Sequence, residues 1–156
     1  MRLRLLAAGT RSPRWVEEAY RDYADRLGRD TPLDLVEIEL GRRGKGAPVE
    51  QAIRDEGRRM LAAIEGSDYV VALDVGGRSY TTESLAQWFE RRQADGRDVV
   101  FLIGGPDGLA QECRERANER LSLSALTLPH GLARVVLAEQ IYRVVSLHKG
   151  HPYHRA

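Results

Sequence analysis

"VVFLIGGPDGL", residues 99 to 109, sets five consecutive apolar side chains, Val99 to Ile103, directly before three glycines, a proline and an aspartate. An unbroken apolar run of that length suits a strand covered on both faces. Gly104-Gly105-Pro106-Asp107-Gly108 then mark a turn, and Leu109 to Glu119 carries a helical pattern. The same strand, turn and helix unit recurs in both directions from here.

Towards the N-terminus, residues 2 to 8 read as a short strand. Ser12 is placed to cap and Pro13 to open a helix whose face is Trp15, Ala19, Tyr20, Tyr23, Ala24 and Leu27, ending at Gly28. Trp15 and Trp88 are expected in the core. Leu33 to Leu40 alternates acids with aliphatics as a half-buried strand does, and a helix is expected over Val49 to Glu65 with Ala52, Ile53, Met60, Leu61 and Ile64 inward. Asp68 to Val75 is a strand and Thr82 to Ala94 a helix. Beyond the central unit, Leu121 to Leu128 is a strand and Leu132 to His148 the last helix. Strand and helix alternating throughout predict an α/β fold, a mostly parallel sheet with helices on both faces. At 156 residues, 1 to 156 form a single domain.

Composition narrows the function classes. Hydrophobic residues make up 42% and charged residues 30%, and no apolar run reaches the ~20 residues of a membrane span. The start lacks a signal-peptide core, so a cytoplasmic location is expected. Cys113 is the sole cysteine, which excludes an internal disulfide and reads as an inert helix residue. A net charge of +1 predicts no general polyanion binding. Two local basic segments stand out against it: a mobile loop carrying Arg42, Arg43 and Lys45, and the acid-free tail after Glu139 with Arg143, His148, Lys149, His151, His154 and Arg155.

In parallel sheets ligands bind beyond the carboxyl ends of the strands, which puts the loops after Leu73, after Ile103 and around Leu121 to His130 in question. No phosphate fingerprint is present, and Pro106 stands where a phosphate cradle wants an N–H donor. A ligand there should be flat and uncharged, although a glycine-rich turn by itself is most often only a turn. The segment from Leu121 to Gly131 offers small and apolar residues and mainly backbone groups. Helix 132–148 is apolar around more than the ~100° stripe that one core contact needs, which predicts burial on two sides and hence dimerisation. His148, His151 and His154 recur every third residue, but Pro152 interrupts a helix through them and no acid lies near in sequence, so no metal is expected. His130 fits capping or packing as well as catalysis.

Taken together, Leu102 to Gly108, then "LSLSALTLPH" from Leu121 to His130, then Val135 to Arg143, then "HPYHR" from His151 to Arg155 resemble the small single-domain SPOUT methyltransferases over essentially the full chain. The resemblance implies a C-terminal trefoil knot, which periodicity cannot reveal. It also implies a homodimer paired through the knot and the C-terminal helix, S-adenosylmethionine as cofactor, and methylation of N3 of a pseudouridine in 23S rRNA on the ribosome. Carried over by residue, the cofactor would contact Leu73, Gly104, and Leu123, Ser124, Ala125, Leu126, Thr127 and Leu128. Tyr142, Arg143, Tyr153, His154 and Arg155 would form the catalytic side, with a guanidinium stabilising the anion developing at N3 and His154 taking the proton. Arg42, Arg43, Lys45, Arg134 and His151 would face the RNA. The rival reading is a non-catalytic RNA- or ribosome-binding α/β module, which leaves the small-residue loops unexplained.

Overall fold

The computed structural model describes residues 1 to 155; the side chains of His154 and Arg155, and all of Ala156, lie outside the described residues. In chain order the elements are β1 (Leu3–Ala8), α1 (Arg14–Ala24), β2 (Leu33–Ile38), α2 (Val49–Ala62), β3 (Tyr69–Ser79), α3 (Thr82–Asp95), β4 (Val99–Ile103), α4 (Gln111–Arg116), β5 (Glu119–Ser122) and α5 (His130–His148). A 3-10 turn over Pro152–Arg155 follows. The five strands form one sheet in the order β2-β1-β4-β3-β5, and every pairing is parallel.

Side-chain alternation divides the core in two. Leu3, Leu5, Val71, Val99 and Phe101 point to one face, where Tyr20 of α1, Trp88 and Phe89 of α3 and Leu137, Ile141 and Val144 of α5 cover them. Leu6, Val70, Ala72, Val100 and Leu102 point to the other, under Met60 of α2 and Cys113 of α4. The expected two-sided sheet is therefore present, and all five residues of β4 are buried at its centre. Trp88 takes its expected interior place, Cys113 is buried on α4, and burial pushes its thiol up to about 11. Among the described residues, no helix is long and apolar enough to cross a membrane.

Some expectations need correction. Trp15 is 56% exposed, because α1 turns Val16 and Tyr20 inward, one helical turn apart. Ser12 does not cap that helix; Pro13 occupies the N-cap and no side chain bonds there. The fourth helix stops at Arg116, and Glu119 already belongs to β5. Glu119 is fixed there by three donors, the Tyr69 and Tyr80 hydroxyls at 2.6 and 2.9 Å and the Trp88 indole N–H at 3.1 Å.

The consequential difference is that β5 ends at Ser122 rather than continuing to Leu128. The Ser122 hydroxyl donates to the Ser124 carbonyl, and the Leu126 N–H donates to Ser124 Oγ, each at 2.9 Å. These local bonds offer the backbone an alternative to the sheet ladder. Alternation in Leu121-Ser122-Leu123-Ser124 looks like a continuing strand, but the serines bend it away. Across the sheet, β3 also leaves register: Leu73 and Arg78 both pair with Leu121, so Asp74 to Gly77 loop out. The carboxyl ends of β3, β4 and β5 thus open towards one place.

Candidate functional site

That place is a cavity of about 570 Å³. Its walls come from the three loops: Leu73, Asp74 and Val75 after β3, Ile103 to Pro106 with Gly108 and Leu109 after β4, and Leu123, Ser124, Leu126, Thr127, Leu128 and Pro129 after β5. His130 and Ala133 from the start of α5, and Arg114 from α4, complete it. Of the residues expected around a cofactor, Leu73, Gly104, Leu123, Ser124, Leu126, Thr127 and Leu128 are brought together here. Ala125 is exposed at the bend and is not among the lining residues.

The glycine wall has a local cause. A Cβ on Gly104 would lie 2.5 Å from the Gly108 carbonyl carbon and 2.6 Å from the Leu109 nitrogen, so the returning backbone leaves room only for hydrogen. Gly108 has φ +88°, a conformation that suits glycine. Its N–H donates to the Gly105 carbonyl at 3.1 Å and closes the turn. Glycine is thus demanded by the turn itself, and the turn supplies a thin backbone wall.

Opposite it, Leu126 is 75% exposed although it is a large apolar side chain on the cavity rim. Leucines and bare backbone form most of the lining, and the ionisable groups in it are Asp74, Arg114 and His130. Asp74 is already occupied, accepting from the Gly76 N–H at 3.0 Å and pairing with Arg120 at 3.3 Å. Such a lining suits a ligand with a flat apolar body and a few hydrogen-bonding edges. It is poorly equipped for a polyphosphate.

Residues expected on the substrate side divide. Tyr142, Arg143 and Tyr153 meet at the far end of α5: the Tyr142 and Tyr153 rings pack edge to face with centroids 4.6 Å apart. The Arg143 guanidinium sits 5.1 Å from the Tyr153 ring centroid. Glu139 organises the cluster by accepting from Arg143 at 2.9 and 2.5 Å and from the Tyr153 hydroxyl at 3.3 Å. Burial, then hydrogen bonding to Tyr23 and the charge of Glu139, push the Tyr153 phenol up to about 12. Arg26, just beyond the end of α1, lies 5.5 Å from the Tyr142 ring centroid and joins the cluster, a participant that the sequence pattern did not signal. The side chains of His154 and Arg155 lie outside the described residues. His151 is exposed, and His148 faces Glu90 at 3.6 Å.

Arg134 and Arg43 differ from the RNA-facing expectation. Arg134 is 1% exposed; it donates to Glu37 at 2.9 Å and to the Gly9 carbonyl at 2.7 Å, tying α5 to the end of β1. Arg43 is held by Glu56 and Asp107, so its loop is anchored rather than free. Arg42 and Lys45 remain exposed. Two acids missing from the sequence reading, the buried Glu56 and the exposed Glu37, are the partners of these arginines. Their signal is weak, since an acid on an amphipathic helix or strand normally reads as surface.

A family model described as "Predicted SPOUT methyltransferase" matches residues 1–154. The chain is 56% identical over 156 residues to "Ribosomal RNA large subunit methyltransferase H" of Alkalilimnicola ehrlichii (strain ATCC BAA-1101 / DSM 17681 / MLHE-1), covering 100% of both chains. It is 50% identical over 155 residues to the protein of that name from Hahella chejuensis (strain KCTC 2396), covering 99% of both. With cavity, loops and sheet order in place, the match over nearly every residue has one consequence: this chain belongs to the SPOUT methyltransferases.

Proposed function

We propose that the chain transfers a methyl group from S-adenosylmethionine to N3 of a pseudouridine in 23S rRNA, on the assembled ribosome in the cytoplasm. It acts as a knotted homodimer in which the cavity of one protomer faces the C-terminal tail of the other. The observation that carries the cofactor reading is the cavity of about 570 Å³ walled by a glycine turn and by leucines, with an exposed Leu126 at its rim. An uncharged adenine and ribose fit such walls: leucines cover the base faces and main-chain groups meet its edges. The names of the relatives support large-subunit ribosomal RNA as the substrate.

The dimer reading rests on distance. Ala133 and Tyr142 both belong to α5, and nine residues at ~1.5 Å each separate the cavity from the tail cluster by about 14 Å along the helix. A methyl carbon and its acceptor must come within about 3–3.5 Å. A second chain, laid against the half-buried Leu132, Val135 and Val136 of α5, would bring its tail to this cavity.

When bound, the cofactor supplies an already activated methyl on a sulfonium, so the chain's own work is alignment and proton removal. Tyr142 and Tyr153 offer faces for the target base, and Arg143 offers positive charge to the anion forming at N3. Its pairing with Glu139 holds the guanidinium in place. Tyr153, with its phenol raised to about 12, stays protonated at neutral pH and does not serve as the base. That role falls to His154. Arg155 adds charge to the tail, while Arg42, Lys45 and His151 meet RNA phosphates.

Isothermal calorimetry with S-adenosylmethionine tests the cavity reading, using Leu126→Arg as the control. That change places a cation on the rim of a cavity that would hold a positively charged ligand, at a position where the side chain is 75% exposed, so folding is spared. Binding by the wild type and at least tenfold weaker binding by the variant are expected. A wild type that binds no cofactor, yet binds ribosomes, would instead support a non-catalytic RNA-binding module.

A further inference from the structure

Arg43 lies far from the cavity in sequence, and its contacts reach the cavity's glycine wall. The Arg43 Nε–H donates to Asp107 at 2.9 Å, and Asp107 lies inside the turn closed by Gly105 and Gly108. The other arm of the guanidinium donates through Nη1 to Glu56 at 2.5 Å and to the Gly41 carbonyl at 3.2 Å. Glu56, on α2, is 3% exposed and also accepts from the Gly41 N–H at 2.9 Å. Its other oxygen comes within 3.0 Å of the position a Cβ on Gly105 would occupy, so the carboxylate backs directly onto the turn. One arginine therefore spans from a buried acid on a rigid helix to the most conformationally free segment of the cavity.

A turn built on Gly104, Gly105 and Gly108 has little stiffness of its own. Within it, the Gly108-to-Gly105 hydrogen bond and the ring of Pro106 limit motion. The Arg43–Asp107 pair adds an external strut, and a planar two-armed guanidinium fixes direction as well as distance. Asp107 is 39% exposed, so the pair adds little to global stability. Its effect should fall on how well the wall is formed before a ligand arrives.

We infer that Arg43 is a positioning residue for the cofactor cavity: anchored on Glu56, it holds Asp107 and so sets the glycine wall in its binding-competent shape. This rests on the cofactor reading above. It assigns Arg43 to the pocket rather than to RNA contact, leaving Arg42 and Lys45 as the outward cations of that loop.

The test measures S-adenosylmethionine binding to the full-length wild type, Asp107→Asn, Arg43→Met and the double variant by calorimetry. Urea unfolding and the cofactor KM and kcat on ribosomes are measured for the same proteins. Asp107→Asn should bind about tenfold more weakly and raise KM by a similar factor, with kcat and the unfolding midpoint close to wild type. The double variant should be no worse than Arg43→Met alone, because both changes remove one link. Arg43→Met also bares Glu56 and will unfold more easily, which is why Asp107→Asn carries the decision. Wild-type affinity in Asp107→Asn, or a loss that merely tracks a lowered unfolding midpoint, overturns the inference while leaving the cavity reading intact. A wild type that binds no cofactor overturns both.

Discussion

The two ends of α5 are built on opposite terms. At its N-terminal end, His130 and Ala133 border a cavity whose walls are backbone, glycine and leucine, completed by loops from three strands of the same chain. At its C-terminal end, Tyr142, Arg143 and Tyr153 gather with Glu139 and Arg26 into an aromatic and charged cluster. The first is a concave site that one chain forms; the second is a cluster of aromatic rings and charged groups. One helix thus carries a pocket suited to an apolar-faced ligand at one end and a surface suited to a base and phosphates at the other. The helix holds them apart, and in the proposed homodimer a second copy joins them.

The largest expected effect comes from disturbing the cavity end. Gly104→Ala drives a Cβ to 2.5 Å from the Gly108 carbonyl carbon, and overpacking of this kind costs roughly 2–3 kcal/mol. Urea unfolding should show that loss, and cofactor binding should vanish with it; an unchanged midpoint would mean that the turn relaxes freely. A smaller effect on stability, with a clear one on activity, is expected at the other end. Tyr153→Ala removes a half-buried ring from a terminal 3-10 turn, so unfolding should shift by less than about 1 kcal/mol. Methyl transfer should fall by about 100-fold, as misplaced reactants do. Loss of cofactor affinity in this variant would break the division between the two ends.

The smallest effect concerns pH. Because burial and Glu139 raise the Tyr153 phenol to about 12, it stays neutral across the working range. Tyr153→Phe should therefore leave the shape of the pH–rate profile unchanged between about pH 6 and 10, whereas His154→Ala should change it. A limb that disappears in Tyr153→Phe instead would move the base to the phenol.

Most of the layered architecture could be read from the chain, because a buried central strand such as Val99 to Ile103 leaves an unbroken apolar run. The lining residues could be read in part, since Leu73, Gly104 and Leu123 to Leu128 stand where parallel strands end. What escaped depends on contacts between distant residues. The bend after Ser122 comes from serine hydroxyls that compete with the ladder, and alternation alone cannot distinguish it from strand. Arg134 and Arg43 look like surface cations until their partners Glu37 and Glu56 are located. Trp15 looks like core because the helical face of α1 can be drawn either side of Val16. The proposed join between cavity and tail cannot be read from one chain, because in that proposal it belongs to a pair.

Mixed dimers test that join most directly. Leu126→Arg disables a cavity and Tyr153→Ala disables a tail, so each homodimer should be inactive in methyl transfer to ribosomes. After unfolding and refolding together in equal amounts, half of the dimers should be mixed, and each mixed dimer should contain one site with an intact cavity facing an intact tail. Activity of about a quarter of wild type is expected. Activity no greater than the sum of the two separate variants, with mixed dimers demonstrably formed, would contradict a site shared between chains.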